Sequence, residues 1–96
     1  MVCVRIFGIE KCGKCHKVKG RVGNLIRRNG FQDDVEVAYF DQNTFEGRAE
    51  GAWYDVDDKL PVTIIEKEER SIARWEGKVP KSEELKLCLE TAAGAQ

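Results

Sequence analysis

The strongest constraint on the fold of this chain is the order strand, helix, strand in its first 40 residues. Residues 2–7 form a strand-like run with Val2, Val4 and Ile6 on one face and the other three side chains on the opposite face. Residues 14–28 are helix-like, and residues 35–40 are again strand-like. Two strands joined through a helix predict a parallel pair with a right-handed crossover. We therefore expect a layered α/β core.

The first predicted helix has an apolar side and a recognisable end. Asn29 and Gly30 form a typical stop signal for a helix. Gly20 and Gly23 lie inside the helix, where each costs up to about 1 kcal/mol relative to alanine. Close packing against a neighbouring element would explain these two glycines, although a helix can also simply tolerate them. The apolar positions of the helix are Val18, Val22, Leu25 and Ile26.

The segment after the second strand is the hardest part of the chain to interpret. Residues 44–52 give a weak helical pattern that two glycines interrupt. The aromatic residues Trp53 and Tyr54 follow it directly. Large aromatic side chains beside a short helix usually pack that helix onto the core. We expect both residues to act as such anchors.

A β-hairpin is predicted in the second half of the chain. Residues 61–65 are strongly β-prone and begin with Pro61, at a position where a strand tolerates proline. A polar turn at residues 66–69 leads to a returning strand at residues 71–75. Trp75 in this last strand is expected to pack in the core rather than to contact a substrate.

A final helix is predicted at residues 83–92. Gly77 and Pro80 interrupt the chain before it, and Ser82 is a suitable N-cap. Residues 91–96 are small and polar, so this end is expected to fray. The side chains expected near one side of the helix are Leu85, Leu87, Cys88 and Leu89.

Composition and charge indicate one soluble domain spanning residues 1–96. Hydrophobic residues make up 42% of the chain and charged residues 34%, which is ordinary for a globular protein. The formal net charge of −1 gives no reason to expect nucleic acid or membrane as a partner. The beginning of the chain resembles a strand rather than a signal peptide, and no run approaches 18 apolar residues. We expect a cytoplasmic monomer.

A pair of cysteines, Cys12-Gly13-Lys14-Cys15, lies between the first strand and the first helix. A thiolate at a helix N-terminus meets unpaired backbone N–H groups and the positive end of the helix dipole. Nearby cationic side chains should lower the pKa of the first thiol further below its free value of about 8.5. In a chain rich in thiols whose beginning resembles a strand rather than a signal peptide, this spacing favours a redox-active dithiol. The cationic neighbours are Lys11, Lys14, His16 and Lys17.

Three other interpretations share this short motif. With His16 it reads C-x-x-C-H, the haem attachment pattern, but Met1 is the only other residue of the two usual axial-ligand types. Structural zinc would need a second ligand pair, and the remaining thiols, Cys3 and Cys88, lie far apart in sequence. Inert packing cysteines are the third possibility, although the residues between the two thiols argue against full burial. Cys3 and Cys88 themselves are expected to be core residues.

Basic residues are concentrated around the motif. Residues 11–28 contain seven Lys or Arg and no Asp or Glu, whereas Asp55, Asp57 and Asp58 form an acidic cluster later in the chain. A solvated helix face is the usual meaning of such a run. The alternative is a positive rim that attracts an anionic thiol or an acidic protein.

The chain resembles a small thioredoxin-fold protein of the glutaredoxin-like type. The resemblance covers nearly the whole length. It rests on the Cys12-to-Cys15 motif between the first strand and the first helix, on Leu60-Pro61 opening the third strand, and on Gly77 between the fourth strand and the last helix. It implies a three-layer α/β fold (βαβ, short helix, ββα) with a four-stranded mixed sheet, and a cis proline beside the dithiol. It also implies thiol–disulfide exchange, with Cys12 as nucleophile and Cys15 as resolving thiol. The substrate-binding residues it implies are Lys11, Gly13, Lys14, Leu60, Pro61 and Gly77.

The chain departs from the family pattern where glutathione would be held. Many glutaredoxins have an Asp pair after the glycine, whereas this chain has Gly77-Lys78-Val79. Lys11 could still meet a glycyl carboxylate. The resemblance implies a protein disulfide or small thiol as substrate, and glutathione or a reductase as electron donor, with no cofactor or metal required. The alternative is a non-catalytic module whose cysteines hold a metal ion or an iron–sulfur cluster.

Overall fold

The computed structural model describes residues 1–94, which form four strands and three helices. The predicted order of elements is confirmed. The helix α3 continues past Thr91 to Gly94, where the sequence predicted a frayed end, and residues 95 and 96 of that end lie outside the described part. The elements are β1 (Val2–Gly8), α1 (Gly13–Arg28), β2 (Val35–Asp41), α2 (Phe45–Trp53), β3 (Val62–Lys67), β4 (Arg70–Glu76) and α3 (Ser82–Gly94).

The four strands form one mixed sheet in the order β2-β1-β3-β4. β1 is parallel to β2, as the crossover predicted, and antiparallel to β3, while β3 and β4 form the expected antiparallel hairpin. In the central row, Ile6 of β1 pairs with Tyr39 of β2 on one side and with Thr63 of β3 on the other. The register therefore places these three residues side by side.

The main core lies between the sheet and the pair α1 and α3. Val2, Val4 and Ile6 share one face of β1, as the alternation predicted, and this face lies in the main core. Trp75 is buried here as expected. Leu87 was expected on the apolar side of α3 but is 65% exposed, because the stripe that meets the sheet runs through Leu85 and Leu89. The core residues are Val2, Val4, Ile6, Val18, Val22, Ile26, Val35, Ile65, Trp75, Leu85, Leu89 and Ala92.

A smaller apolar cluster lies on the opposite face of the sheet, where α2 packs. Tyr54 anchors this side as expected and stacks obliquely on Phe7, with ring centroids 5.8 Å apart. Trp53 is not an anchor, since it is 81% exposed. Successive residues of a helix point about 100° apart, so the turn that directs Tyr54 to the sheet directs Trp53 to solvent. The cluster consists of Phe7, Val62 and Ile64, with Phe40, Tyr54, Val56 and Leu60 against it.

The β3–β4 turn is shorter than the sequence predicted. β3 continues to Lys67 because Glu66 is buried and paired rather than part of a polar loop. The loop is reduced to Glu68 and Glu69, whose φ angles of 53° and 66° are both left-handed. Two residues of positive φ match the twist of the flanking strands. The hairpin therefore keeps its tight turn without glycine.

The glycines of α1 have no packing role. A Cβ at Gly20 would meet no atom within 4 Å, and one at Gly23 would meet only a flexible Arg27 nitrogen at 3.4 Å. Of the two explanations that the sequence left open, simple tolerance by the helix fits Gly20 and Gly23, and close packing does not.

Within residues 1–94, no helix combines the length and the apolar character that a membrane span requires.

Candidate functional site

The first turn of α1 is built around the sulfur of Cys12. Cys12 is the N-cap residue, with φ −94° and ψ 109°, and its Sγ accepts a hydrogen bond from the Cys15 N–H at 3.1 Å. Cys12 and Cys15 are joined as a disulfide, with Cα atoms 5.2 Å apart. The first turn contains no acidic residue. The helix thus presents its unpaired N–H groups and positive dipole end to this sulfur pair.

The two sulfur-bearing residues differ in accessibility. Cys12 is half-buried, whereas Cys15 is 0% exposed beneath it. A large partner can therefore reach Cys12 before Cys15. Lys11, Gly13 and Lys14, three of the residues predicted to bind substrate, are all exposed around Cys12.

The other predicted binding residues lie at the same end of the sheet as the dithiol. Phe7 near the end of β1 pairs with Val62 at the start of β3, and Val62 pairs with Glu76 at the end of β4. The segments that continue from these strand ends carry Cys12, Pro61 and Gly77. Strand register thus brings together residues that are far apart in sequence.

The Leu60–Pro61 peptide bond is cis, as the resemblance implied. Pro61 is fully buried, and its carbonyl accepts the Gly77 N–H at 2.8 Å. Gly77 has φ +71°, a conformation that L side chains rarely adopt. Leu60 is half-buried. Of these three residues, Leu60 and Gly77 are partly exposed, whereas Pro61 is buried.

The basic stretch along α1 is partly structural. Arg21 donates from Nη1 to the Pro80 carbonyl at 2.8 Å, and the Lys19 ammonium lies 4.8 Å from the centre of the Tyr39 ring. His16 is exposed, and its Nε2 forms a hydrogen bond with the Glu10 carbonyl in the loop before the helix. The side chains of Lys11, Lys14 and Lys17 remain exposed near the dithiol.

The acidic cluster lies in the connection after α2. Asp57 accepts the Lys59 N–H at 2.9 Å, and Asp55 takes a left-handed φ of 56°. The Asp55 carbonyl accepts a hydrogen bond from Arg74 at 3.2 Å. These contacts give Asp55 and Asp57 structural roles in shaping the connection to β3.

Cys3 and Cys88 are free and half-buried rather than fully buried. Cys88 packs against the main core, whereas Cys3 lies on the opposite face of the sheet. Burial raises the pKa of both thiols above the ordinary value, and Arg5 partly offsets this for Cys3. Both therefore favour the neutral thiol, in contrast to what a reactive cysteine needs.

Within residues 1–94, no cluster of three or more His, Cys, Asp or Glu side chains could hold a metal ion.

Tyr39 is a site residue that the sequence interpretation missed. The register of β2 against β1 brings its hydroxyl to the place where β1 ends at Gly8. A Cβ added at Gly8 would lie 2.7 Å from the Cys15 Sγ and 2.9 Å from the Tyr39 hydroxyl oxygen. In the sequence, this arrangement is indicated only by Gly8, a glycine at the end of an otherwise regular strand.

No protein-family profile matches the chain, and no curated protein sequence matches it. The chain does match several solved structures. Thioredoxin-2 of a malaria parasite is 20% identical with a TM-score of 0.78, covering 95% of this chain and 82% of that one. Thioredoxin O2 from Arabidopsis thaliana is 18% identical (TM-score 0.78, 97% and 76% covered), and thioredoxin 1 from Thermosipho africanus is 19% identical (TM-score 0.72, 92% and 90% covered).

These similarities confirm the predicted fold class, an α/β thioredoxin-like fold with a four-stranded mixed sheet. At such low identity they establish the fold alone. The matched structures are thioredoxins, and the glutaredoxin-like type of this chain stays a prediction.

Proposed function

We propose that this protein catalyses thiol–disulfide exchange, with Cys12 as the attacking thiol and Cys15 as the resolving thiol. The observation that carries the proposal is the position of the Cys12 sulfur as the cap of α1, half-buried above a fully buried Cys15. The helix end favours a thiolate at the cap position, and a thiolate is the species that attacks disulfides.

The reaction has two exchange steps. In the first, the Cys12 thiolate attacks a substrate disulfide, a bond forms between Cys12 and one substrate sulfur, and the other sulfur leaves as a thiolate. In the second, the Cys15 thiolate attacks the Cys12 sulfur and the remaining substrate sulfur leaves. The substrate is reduced by two electrons and the protein is left as the Cys12–Cys15 disulfide. A thiol donor or a reductase then returns the pair to the reduced state.

The surface around Cys12 suits a disulfide-containing peptide or a small thiol. Lys11 and Lys14 supply positive charge on one side, while Leu60 and Gly77 supply backbone and apolar surface on the other. Lys78 follows Gly77 where many glutaredoxins have acidic residues, so the amino group of glutathione would meet a cation there. We therefore propose a reductase, or a thiol other than glutathione, as the main electron donor.

The proposal is tested by replacing Cys15 with serine, which removes the second step and should trap the first product. The Cys15→Ser protein, treated with hydroxyethyl disulfide, is expected to gain one adduct on Cys12, seen by peptide mass spectrometry. The matched Cys12→Ser protein should gain little adduct at Cys15, because that residue is 0% exposed. A reduced, folded Cys15→Ser protein without an adduct on Cys12 would contradict the proposal. Colour or stoichiometric zinc in the parent protein purified in air would support the metal-binding alternative instead.

A further inference from the structure

The hydroxyl of Tyr39 is buried and has no hydrogen-bond partner among the described residues. Its ring packs against the main core on the α1 side of the sheet, with the Lys19 ammonium over it. Burying a hydroxyl without a partner is energetically unfavourable, so such a group calls for an explanation.

The unpartnered hydroxyl lies near the sulfur of Cys15. The Tyr39 hydroxyl oxygen lies 2.9 Å, and the Cys15 sulfur 2.7 Å, from the position that a Cβ of Gly8 would occupy. Their separation cannot exceed the sum of those two distances. Since Gly8 has no side chain, nothing from β1 stands between them. Opening the disulfide frees the Cys15 sulfur to turn about its Cα–Cβ bond toward the hydroxyl.

The charges around Tyr39 keep it a hydrogen-bond donor. Burial raises the pKa of Tyr39 above its ordinary value of 10.0, and the nearby carboxylates of Asp41 and Glu10 raise it further. Asp41 lies two residues along the same strand, Glu10 lies in the loop before α1, and Lys19 of α1 is the cation that faces the ring. The phenol is therefore neutral at physiological pH, with its proton available for donation.

We propose that Tyr39 is a positioning residue that donates a hydrogen bond to the sulfur of Cys15 in the reduced protein and so favours its thiolate. The inference rests on the proposed function, because it assigns Tyr39 to the second exchange step. In that step the Cys15 thiol loses its proton, the resulting thiolate bonds to the Cys12 sulfur, and the bond from Cys12 to the substrate sulfur breaks. The leaving substrate thiolate takes up the proton, and Tyr39 keeps its own.

Such a donor matters because Cys15 is 0% exposed. A thiolate there loses most of its contact with water, which disfavours ionisation. A hydrogen bond to the charged form offsets that loss. In the reverse direction the same bond stabilises Cys15 as the leaving thiolate when a substrate thiol attacks Cys12.

The test compares Tyr39→Phe with Tyr54→Phe, a matched change on the opposite face of the sheet. Each reduced protein is mixed with hydroxyethyl disulfide, quenched with acid at intervals, and analysed by mass spectrometry. This separates the Cys12 adduct of the first step from the Cys12–Cys15 disulfide of the second. For Tyr39→Phe we expect the second step to slow about tenfold near pH 7 and its pH midpoint to rise by about one unit, with the first step unchanged. Tyr54→Phe should match the parent in both steps.

Three outcomes distinguish the possibilities. A second step of parental rate and midpoint in Tyr39→Phe would overturn the inference while leaving the proposed function intact. The inference would also be overturned if the second step slowed equally in Tyr39→Phe and Tyr54→Phe, or slowed without a change in its pH midpoint. Either result would indicate a general loss of packing rather than a lost hydrogen bond to Cys15. No adduct on Cys12 in any variant would overturn both proposals.

Discussion

Gly8 and Cys15 pack so closely that no side chain fits between them: a Cβ at Gly8 would lie 2.7 Å from both Cβ and Sγ of Cys15. Real Cβ atoms almost never approach other atoms so closely. The end of β1 and the buried half of the dithiol are therefore fixed against each other by direct contact. Any change at Gly8 must move the strand, the helix or the sulfur.

Replacing Gly8 with alanine should destabilise the protein and disturb the dithiol together. Overpacking a tight site costs about 1–3 kcal/mol. We expect the free energy of unfolding in urea to fall by that amount, and the closing of the Cys12–Cys15 disulfide to slow. If Gly8→Ala keeps parental stability and parental closing rate, the packing described above is wrong.

Gly20→Ala is the matched change at a glycine without contacts, and we expect the opposite sign. The new methyl group would meet nothing within 4 Å, and alanine favours a helix by about 0.5–1 kcal/mol over glycine. The free energy of unfolding should rise by that amount without a change in thiol exchange. A loss of stability would show that α1 bends or packs at this position.

The two tryptophans should contribute very differently to stability. Trp75 is 8% exposed in the main core, so Trp75→Ala should cost about 3–5 kcal/mol. Trp53 is 81% exposed, so Trp53→Ala should change the free energy of unfolding by less than about 0.5 kcal/mol. Urea unfolding followed by far-UV circular dichroism measures both. A large loss for Trp53→Ala would show that this residue is covered in solution.

Glu66 is the acceptor of a small polar network on the α2 face of the sheet. Arg5 donates from Nε at 2.6 Å and the Tyr54 hydroxyl donates at 3.1 Å, both to the same carboxylate oxygen. Glu66→Gln removes the charge that Arg5 faces and should cost about 1–3 kcal/mol. Glu76→Gln is the control, since its pair with Arg74 is more exposed and should be worth less than about 1 kcal/mol. Equal effects in urea unfolding would contradict a special role for the Glu66 network.

Cys3 should make the protein less stable in alkali. Burial is the largest cause that raises the pKa of this thiol above its ordinary value; Arg5 partly offsets it, and Glu36 and Glu66 add to it. The folded state therefore holds the proton more tightly than the unfolded state. This contribution is complete below about pH 8.5 and is lost as pH rises through the folded pKa. Between about pH 9 and 11, the free energy of unfolding should fall more steeply for the parent than for Cys3→Ala. Parallel slopes would contradict the prediction.

Local pattern was enough to predict most of the fold. The alternation of Val2, Val4 and Ile6 and the helical spacing of Val18 and Val22 each depend on residues close in sequence, and both are confirmed. The prediction failed where a position depends on a distant partner. Glu66 looks like a turn residue until Arg5 faces it, and that pairing spans most of the chain.

The site was predictable only in part, for the same reason. The Cys12-to-Cys15 motif is local, and its place at the helix start could be read directly. Tyr39 could not be found, because its relation to Cys15 depends on the register of β2 against β1 and on the absence of a side chain at Gly8. The orientation of Trp53 likewise depends on how α2 is rotated against the sheet, which a weak helical pattern does not define.

The sulfur cap on α1 links covalent chemistry to secondary structure. Because the Cys12 sulfur accepts the Cys15 N–H, every change in the bonding of that sulfur also changes how well the helix end is capped. By thermodynamic linkage, the helix stabilises whichever bonding state of the Cys12 sulfur accepts the Cys15 N–H most strongly. That state stabilises the helix by the same free energy. The Cys15 amide is thus a natural reporter: its NMR shift and hydrogen-exchange rate should follow the state of Cys12 without any label on the thiol.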